Sequence, residues 1–251
     1  MSDDKIDKKI REMLGYLPGK FNLIESQIDI DLQMKYFERS KEIKTDIDEK
    51  EVLETAFLLY LDDVAIQEKK DLLIKLASID KPEAYRAIEK YKNESEGELH
   101  DWALIALHDC RMLLESTYLE EPQVFISTGL GGKNNLLRYF VVFFTRDDKD
   151  FSEVQQKVLN NELKMCLSGK EFEVEALGFH KNFGKLTILL PVSFDIPEFF
   201  QQVIRECNIY GNFVNNRCLI TNVKVLDDEE IGDYYTKLKE MDTGGNSIES
   251  I

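Results

Sequence analysis

The chain has 251 residues and a formal net charge of −16 at pH 7, with 43% hydrophobic and 10% aromatic residues. This length can bury one or two hydrophobic cores, and the apolar content excludes a wholly disordered chain. No apolar run approaches the ~20 residues that cross a bilayer. The charged N-terminal segment MSDDKIDKKIREML lacks the apolar stretch of a signal peptide. We therefore expect a cytoplasmic protein.

The negative charge is concentrated in two parts of the chain. Residues 1–120 carry 28 acidic and 18 basic residues, residues 121–226 carry 12 of each, and residues 227–251 carry 8 against 2. An acidic surface repels phosphate backbones, so the pattern disfavours nucleic acid as a partner. It leaves two interpretations, a surface kept acidic for solubility and a surface that binds a basic partner.

The cysteines and histidines do not form a pattern typical of a metal site. The histidine pair His100 and His108 lies eight residues apart, or about 12 Å along one helix, too far to share one ion. We expect no metal and no cofactor. The four cysteines are scattered without a CxxC pair, which favours reduced and mostly buried thiols at Cys110, Cys166, Cys207 and Cys218.

Residues 1–120 are predicted to form an acidic helical domain. The segment 97–119, GELHDWALIALHDCRMLLESTYL, repeats apolar residues at helical spacing and is apolar all round near its centre, which predicts a central helix. The segment 68–80 has the same spacing, and Pro82 then suits the first position of another helix. Two earlier helices are predicted for LQMKYFERSKEI and DEKEVLETAFLLYL.

The predicted helices recur along this half of the chain. Helical segments begin near residues 32, 66 and 98, about the spacing of helical arrays. The stretch LASIDKPEAYRAIEKYKNESEGELHDWALIALHDC resembles a HEAT-type repeat, and the resemblance covers about residues 66–118. It implies helix pairs stacked in a curved layer that binds other macromolecules. A plain helical bundle accounts for the same residues, and both interpretations stay open.

Residues 136–226 are predicted to alternate strands and helices in the order β-α-β-β-α-β. One helix begins after Asp150 or Ser152, which can cap it, and the other begins at Pro197 and ends at Gly211. The predicted strands are LLRYFVVFF, EFEVEALGFH, FGKLTILLPVSFD and CLITNVKVL. The inward side of the second strand is expected to contain Phe172, Val174 and Ala176.

This order resembles that of ferredoxin-like domains, which implies two helices on one face of a four-stranded antiparallel sheet. We therefore expect an α+β fold, with a HEAT-like or bundled helical domain followed by a ferredoxin-like sandwich. The predicted domains are 1–120, a Gly-rich connector at 121–135, and the ferredoxin-like domain at 136–226. Residues 227–251 are expected to form an acidic helix at 228–240 and a disordered tail.

The glycine-rich loop ISTGLGGKNN, residues 126–135, departs from the phosphate-binding motifs of nucleotide enzymes. A Walker loop would need glycine at Ser127, serine or threonine at Asn134, and a helix afterwards, whereas a strand follows here. Consecutive glycines can still form a backbone nest for an anion. A mobile connector is the other interpretation. The anion- or ligand-binding candidates are Gly129, Gly131, Gly132, Lys133 and Arg138.

The segment KNFGKLTI, residues 181–188, resembles the RNP1 motif of RNA-recognition domains. Phe183 and Gly184 match the motif, as do Lys181 and Leu186, whereas Asn182, Lys185 and Ile188 depart from it. The resemblance implies base stacking on the sheet. The RNA-binding candidates are Tyr139, Lys181, Phe183 and Lys185.

No nucleophile with an adjacent base stands out in the sequence, so we expect a protein that is not an enzyme. The repeat-like helices and the acidic surface favour a protein–protein adaptor or assembly factor with another protein as its partner. Two alternatives stay open: a regulatory domain that senses a small molecule, and RNA binding through the sheet face.

Overall fold

The structure is a computed structural model that describes residues 21–43, 47–119 and 124–242. It is an α+β protein in which a helical part precedes a curled antiparallel sheet. The chain divides into two compact units between Gly129 and Leu130, inside the stretch predicted as a connector. The predicted disordered tail after Asp242 lies outside the described residues.

The first unit contains five α-helices, one 3-10 helix and two short strands within its described residues. The helices are α1 (Ile30–Ile43), α2 (Glu49–Glu54), the 3-10 helix (Ala56–Tyr60), α3 (Ile66–Ala77), α4 (Pro82–Glu94) and α5 (Gly97–Leu119). Strands β1 (Phe21–Leu23) and β2 (Val124–Ile126) pair in parallel.

The helices of the first unit form a bundle around α5, which packs against α1, α3 and α4. Its middle turns are buried on all sides, in agreement with the all-apolar stretch from Trp102 to Leu107. In a solenoid each repeat contacts only its neighbours. Because one helix here contacts three others, the HEAT-like prediction is not supported and the bundle describes the unit.

The second unit contains three α-helices and five strands within its described residues. The strands are β3 (Gly132–Lys133), β4 (Leu136–Thr145), β5 (Glu173–His180), β6 (Phe183–Pro191) and β7 (Val214–Thr221). The helices are α6 (Glu153–Leu167), α7 (Ile196–Ile209) and α8 (Asp228–Asp242). Ser152 caps α6 in a capping box with Gln155, so the predicted serine cap is confirmed.

Strand β4 lies inside the sheet, because it pairs antiparallel with β6 along one edge and with β7 and β3 along the other. Strand β5 pairs antiparallel with β6. Helices α6 and α7 pack on one face of the sheet, on side chains that include Val141 and Phe143. Helix α8 packs on the opposite face through Ile231, against Phe140 and Phe144.

The sheet differs from the predicted one in the side-chain alternation of β5 and in the bounds of β7. A bulge between Val174 and Ala176 shifts the alternation of β5, so Ala176 is exposed and Leu177 and Phe179 pack toward α6 and α7. Strand β7 covers residues 214–221 and not the predicted 218–226.

No helix in the described ranges is long and apolar enough to cross a membrane.

Strand β7 lies at the edge of the sheet, since within the described residues it pairs only with β4. The side chain of Asn208 takes the place of a neighbouring strand at one point. Its amide donates to the carbonyl oxygen of Val214 at 2.9 Å and accepts from the N–H of Val214 at 2.8 Å. Gln201 donates to the carbonyl oxygen of Asn216 at 3.0 Å.

Candidate functional site

The glycine-rich loop is hydrogen-bonded to the sheet. The N–H of Leu130 donates to the carbonyl oxygen of Asn222 at 2.9 Å, and the N–H of Arg138 donates to that of Gly131 at 3.0 Å. Gly131 has a φ of 65°, a conformation that favours glycine. These contacts tie Leu130 and Gly131 to the sheet, and the mobile connector stays a prediction. The buried glycines are Gly129, Gly131 and Gly132.

The two cations predicted to bind an anion already contact carboxylates of β5. Lys133 lies 2.8 Å from both oxygens of Glu173. The guanidinium of Arg138 donates to both oxygens of Glu175 at 2.6 and 2.7 Å, and it holds the pKa of Glu175 below its usual value. An anion would have to displace these carboxylates. Anion binding by the loop therefore stays a prediction.

The four RNA-binding candidates do not share one face of the sheet. Phe183 is only 5% exposed and packs in the cluster under α8, so its ring is not presented to a base. Tyr139 packs in the cluster on the opposite face. Lys185 lies 2.5 Å from Asp228, and Lys181 occupies the turn between β5 and β6 with a φ of 52°. Tyr139 and Phe183 thus lie on different faces of the sheet, and RNA binding through the four candidates stays a prediction.

Helix α8 is held on the sheet by aromatic and polar contacts. The ring of Tyr235 stacks on Phe144 with centroids 4.6 Å apart. Its hydroxyl donates to Asp148, and Lys239 lies 2.6 Å from the same carboxylate. Burial, and next the hydrogen bond to Asp148, raise the pKa of Tyr235. These contacts join α8 to β4 and to the segment that follows β4.

The start of α8 is defined by a capping box. The carboxylate of Asp227 accepts from the N–H groups of Glu229 and Glu230, both at 2.9 Å. The side chain of Glu230 accepts in turn from the N–H of Asp227 at 3.1 Å. Glu230 also pairs with Lys224, whose ammonium lowers the pKa of this carboxyl.

A groove of about 340 Å³ lies between β7, the segment after it, and α8. This volume is within the range of about 300–1,000 Å³ that is usual for ligand sites. The sheet side of the groove is mostly apolar and consists of Leu219, Ile220, Thr221, Val223, Lys224 and Leu226. The helix side consists of Glu230, Asp233, Tyr234 and Lys237.

The four groove residues of α8 are spaced i, i+3, i+4 and i+7, which places them on one face of the helix. Asp233 and Lys237 are exposed, and neither has a hydrogen bond or an ion pair within residues 21–43, 47–119 and 124–242. The groove therefore offers an apolar floor, an aromatic ring, an acceptor and a cation. A flat ligand with polar edges and a negative charge matches these groups.

Sequence reasoning missed this groove, although a signal was present. The helix predicted at 228–240 places Asp233, Tyr234 and Lys237 on one face, but the edge strand opposite them was predicted four residues too late.

No three His, Cys, Asp or Glu side chains in the described part of the chain come together to hold a metal ion. The four cysteines are free thiols.

No protein-family model matches the sequence, and no curated protein matches it. Several solved structures resemble part of the chain, and two of them are named as transposases. One is a candidate transposase from Deinococcus radiodurans R1, with 12% identity, a TM-score of 0.33, and coverage of 42% of this chain and 90% of that one. The other is a REP-associated tyrosine transposase bound to a REP hairpin, with 13% identity, a TM-score of 0.31, and coverage of 43% and 68%.

These matches contradict four of the sequence-based predictions. The similar chains are named as transposases, so the predictions of a non-enzymatic protein and of a protein–protein adaptor or assembly factor are withdrawn; the name is that of the neighbours and assigns no activity to this chain. The neighbour bound to a hairpin also contradicts a protein as the most probable partner and the keywords that described protein binding.

Proposed function

We propose that the unit of residues 130–242 binds single-stranded DNA in the groove between β7 and α8. The observation that supports this is the combination of groups in the groove. Tyr234, whose ring stacks on Phe144 with centroids 6.4 Å apart, borders the apolar floor, and Lys237 is a cation that forms no ion pair within the described residues. Proteins bind single strands by stacking bases on aromatic side chains and placing lysine or arginine beside the phosphates.

The net charge of the chain argues against binding DNA over a wide surface, but it does not act uniformly. Residues 1–120 carry 28 acidic against 18 basic residues and account for most of the excess. Residues 121–226, which include β7, are balanced, whereas residues 227–251, which include α8, carry 8 acidic against 2 basic residues. Lys237 can neutralise one phosphate, and Lys224 can neutralise a second one when it leaves its ion pair with Glu230. The proposed contact therefore involves only one or two phosphates. The proposed binding is therefore local and weakly dependent on salt.

Fluorescence anisotropy with a labelled single-stranded oligonucleotide tests the proposal directly. We expect saturable binding by the full chain and weaker binding of a duplex of the same sequence. Replacing the aromatic ring by Tyr234→Leu should weaken binding by about 1–3 kcal/mol, the usual contribution of one stacked base. Since one or two phosphates are neutralised, log K should fall against log salt with a slope of about −0.7 to −1.4.

The matched control for Lys237→Ala is Lys157→Ala. Lys157 is exposed on α6, which covers the opposite face of the sheet. Only the first variant should lose affinity. Equal losses in the two variants, or no binding by the unmodified protein at low salt, would contradict the proposal.

We also retain the finer fold class, the domain bounds and the location as proposals. The strand order β5-β6-β4-β7, with α6 and α7 on one face, supports a ferredoxin-like class for residues 136–226. The division after Gly129 supports a boundary inside residues 121–135. The four free thiols support a cytoplasmic location.

A further inference from the structure

Some charged groups of the groove already have a hydrogen-bond or ion-pair partner within the described residues, and others have none. Glu230 pairs with Lys224 and accepts from the N–H of Asp227 at 3.1 Å, so its oxygens are engaged. Asp233 lies one turn before Lys237, yet within the described residues the two side chains form no ion pair with each other. The groove thus presents one unengaged carboxylate and one unengaged ammonium, separated along the helix by one turn.

A carboxylate and an ammonium select different parts of a nucleotide. The ammonium of Lys237 matches a phosphate oxygen. An ionised carboxylate can only accept hydrogen bonds, through its two oxygens. It therefore matches a base edge that carries adjacent N–H donors. Guanine has such an edge, with a ring N–H beside an exocyclic amino group, whereas thymine places carbonyl oxygens on both sides of its ring N–H.

We propose that the groove binds one unpaired guanine of a DNA strand. Asp233 accepts from the ring N–H and amino group of guanine, Tyr234 packs against the base, and Lys237 contacts a flanking phosphate. Apolar residues on the sheet side of the groove, among them Leu219 and Leu226 in the cluster under α8, support the other side of the base. This inference rests on the proposed DNA binding and adds the identity of the base.

Hypoxanthine tests the assignment without any change in the protein, because it differs from guanine only by lacking the amino group. Anisotropy would be measured with oligo-dT carrying one central guanine, hypoxanthine or thymine. We expect the guanine oligonucleotide to bind about 5- to 30-fold more tightly than the other two. Equal affinities for all three would overturn the guanine assignment and leave the proposed DNA binding standing. No binding of any of them would overturn both.

Asp233→Asn tests the carboxylate, since an amide has one acceptor and can no longer match two adjacent donors. We expect this variant to bind guanine and hypoxanthine oligonucleotides within about twofold of each other. The control is Glu229→Gln, which removes one exposed carboxylate from the same helix outside the groove and should keep the preference. A preference that survives Asp233→Asn would overturn the inference.

Free guanine nucleotides carry the same base and a phosphate, so they are the second source of this chemistry. Competition with 5′-dGMP separates the two sources. We expect dGMP to displace the guanine oligonucleotide only at concentrations at least about 10-fold higher than unlabelled oligonucleotide. Displacement at equal concentrations would overturn the assignment to a DNA strand.

Discussion

The ring of Tyr235 lies almost parallel to the ring of Phe144, with centroids 4.6 Å apart and planes inclined by 15°. This contact joins α8 to the sheet, and Phe144 is fully buried beneath it. We expect Tyr235→Ala to lower the free energy of unfolding by about 2–4 kcal/mol, because it leaves a cavity over Phe144. Tyr235→Phe keeps the stack and should cost about 1 kcal/mol for the lost hydrogen bond.

Urea unfolding followed by circular dichroism measures both changes. Tyr210→Ala is the control, since Tyr210 is 64% exposed at the end of α7 and should change stability by no more than about 0.5 kcal/mol. If Tyr235→Ala proved as mild as this control, the contact would not hold α8 on the sheet.

The carboxylate of Asp148 should make stability depend on pH. The ammonium of Lys239, and next the hydroxyl of Tyr235, hold the pKa of Asp148 below its usual value. Its contribution to stability is therefore present above the unfolded pKa of about 3.9 and is lost as the pH falls through the lower folded value. We expect Asp148→Asn to destabilise the protein at pH 7 and to have little effect near pH 2.5.

Unfolding in urea at both pH values compares this variant with Asp150→Asn, which removes an exposed carboxylate two residues away. The control should show no such loss of effect at low pH. A destabilisation by Asp148→Asn that stayed constant down to pH 2.5 would rule out the ion pair as its cause.

A buried hydrogen bond joins α1 to α5 in the helical unit. The hydroxyl of Tyr36, which is fully buried, donates to the carboxylate of Asp109 at 3.0 Å. Tyr36→Phe removes this donor from a buried carboxylate and should cost about 1–3 kcal/mol. Thermal unfolding of Tyr36→Phe and of the control Tyr118→Phe, at a 69% exposed position, measures the difference. Equal melting temperatures would contradict the prediction.

The anion-binding prediction for the glycine loop has a direct test in the acids of β5. The double variant Glu173→Gln with Glu175→Gln removes the two carboxylate charges that pair with Lys133 and Arg138, while Arg138 keeps its hydrogen bond to the carbonyl oxygen of Leu130. We expect it to bind inorganic phosphate more tightly than the unmodified protein in isothermal titration calorimetry. Glu171→Gln is the control, because Glu171 is exposed and lies before β5. If the double variant took up no phosphate, the loop would have no anion-binding capacity.

Local signals in the sequence predicted much of the fold. Apolar spacing predicted α5 at its observed bounds of 97–119, and Pro82 predicted the start of α4. These features depend on residues within one or two turns of each other. The bulge at Ala176 and the pairing of β1 with β2 were missed, because both depend on a partner strand that is distant in sequence.

Dependence on residues distant in sequence also explains why the predicted ligand-binding side chains were found to have protein partners. Lys133 and Arg138 were expected to be available, but their partners Glu173 and Glu175 lie 40 and 37 residues further along the chain. The burial of Phe183 depends on α8, which begins 45 residues later at Asp228. Residue type and spacing suggested cations and an aromatic ring at these positions. Whether these side chains can contact a ligand depends on residues that are distant in sequence and close only in the folded protein.

The side chain of Asn208 has a consequence for the behaviour of the protein at high concentration. A sheet edge with unpaired backbone groups can recruit the edge of another molecule, and sheets that join in this way grow into aggregates. Asn208 occupies both backbone groups of Val214, and Gln201 occupies the carbonyl of Asn216. This part of β7 is thereby closed to a second sheet, and the amide of a helix side chain protects the protein from edge-to-edge aggregation.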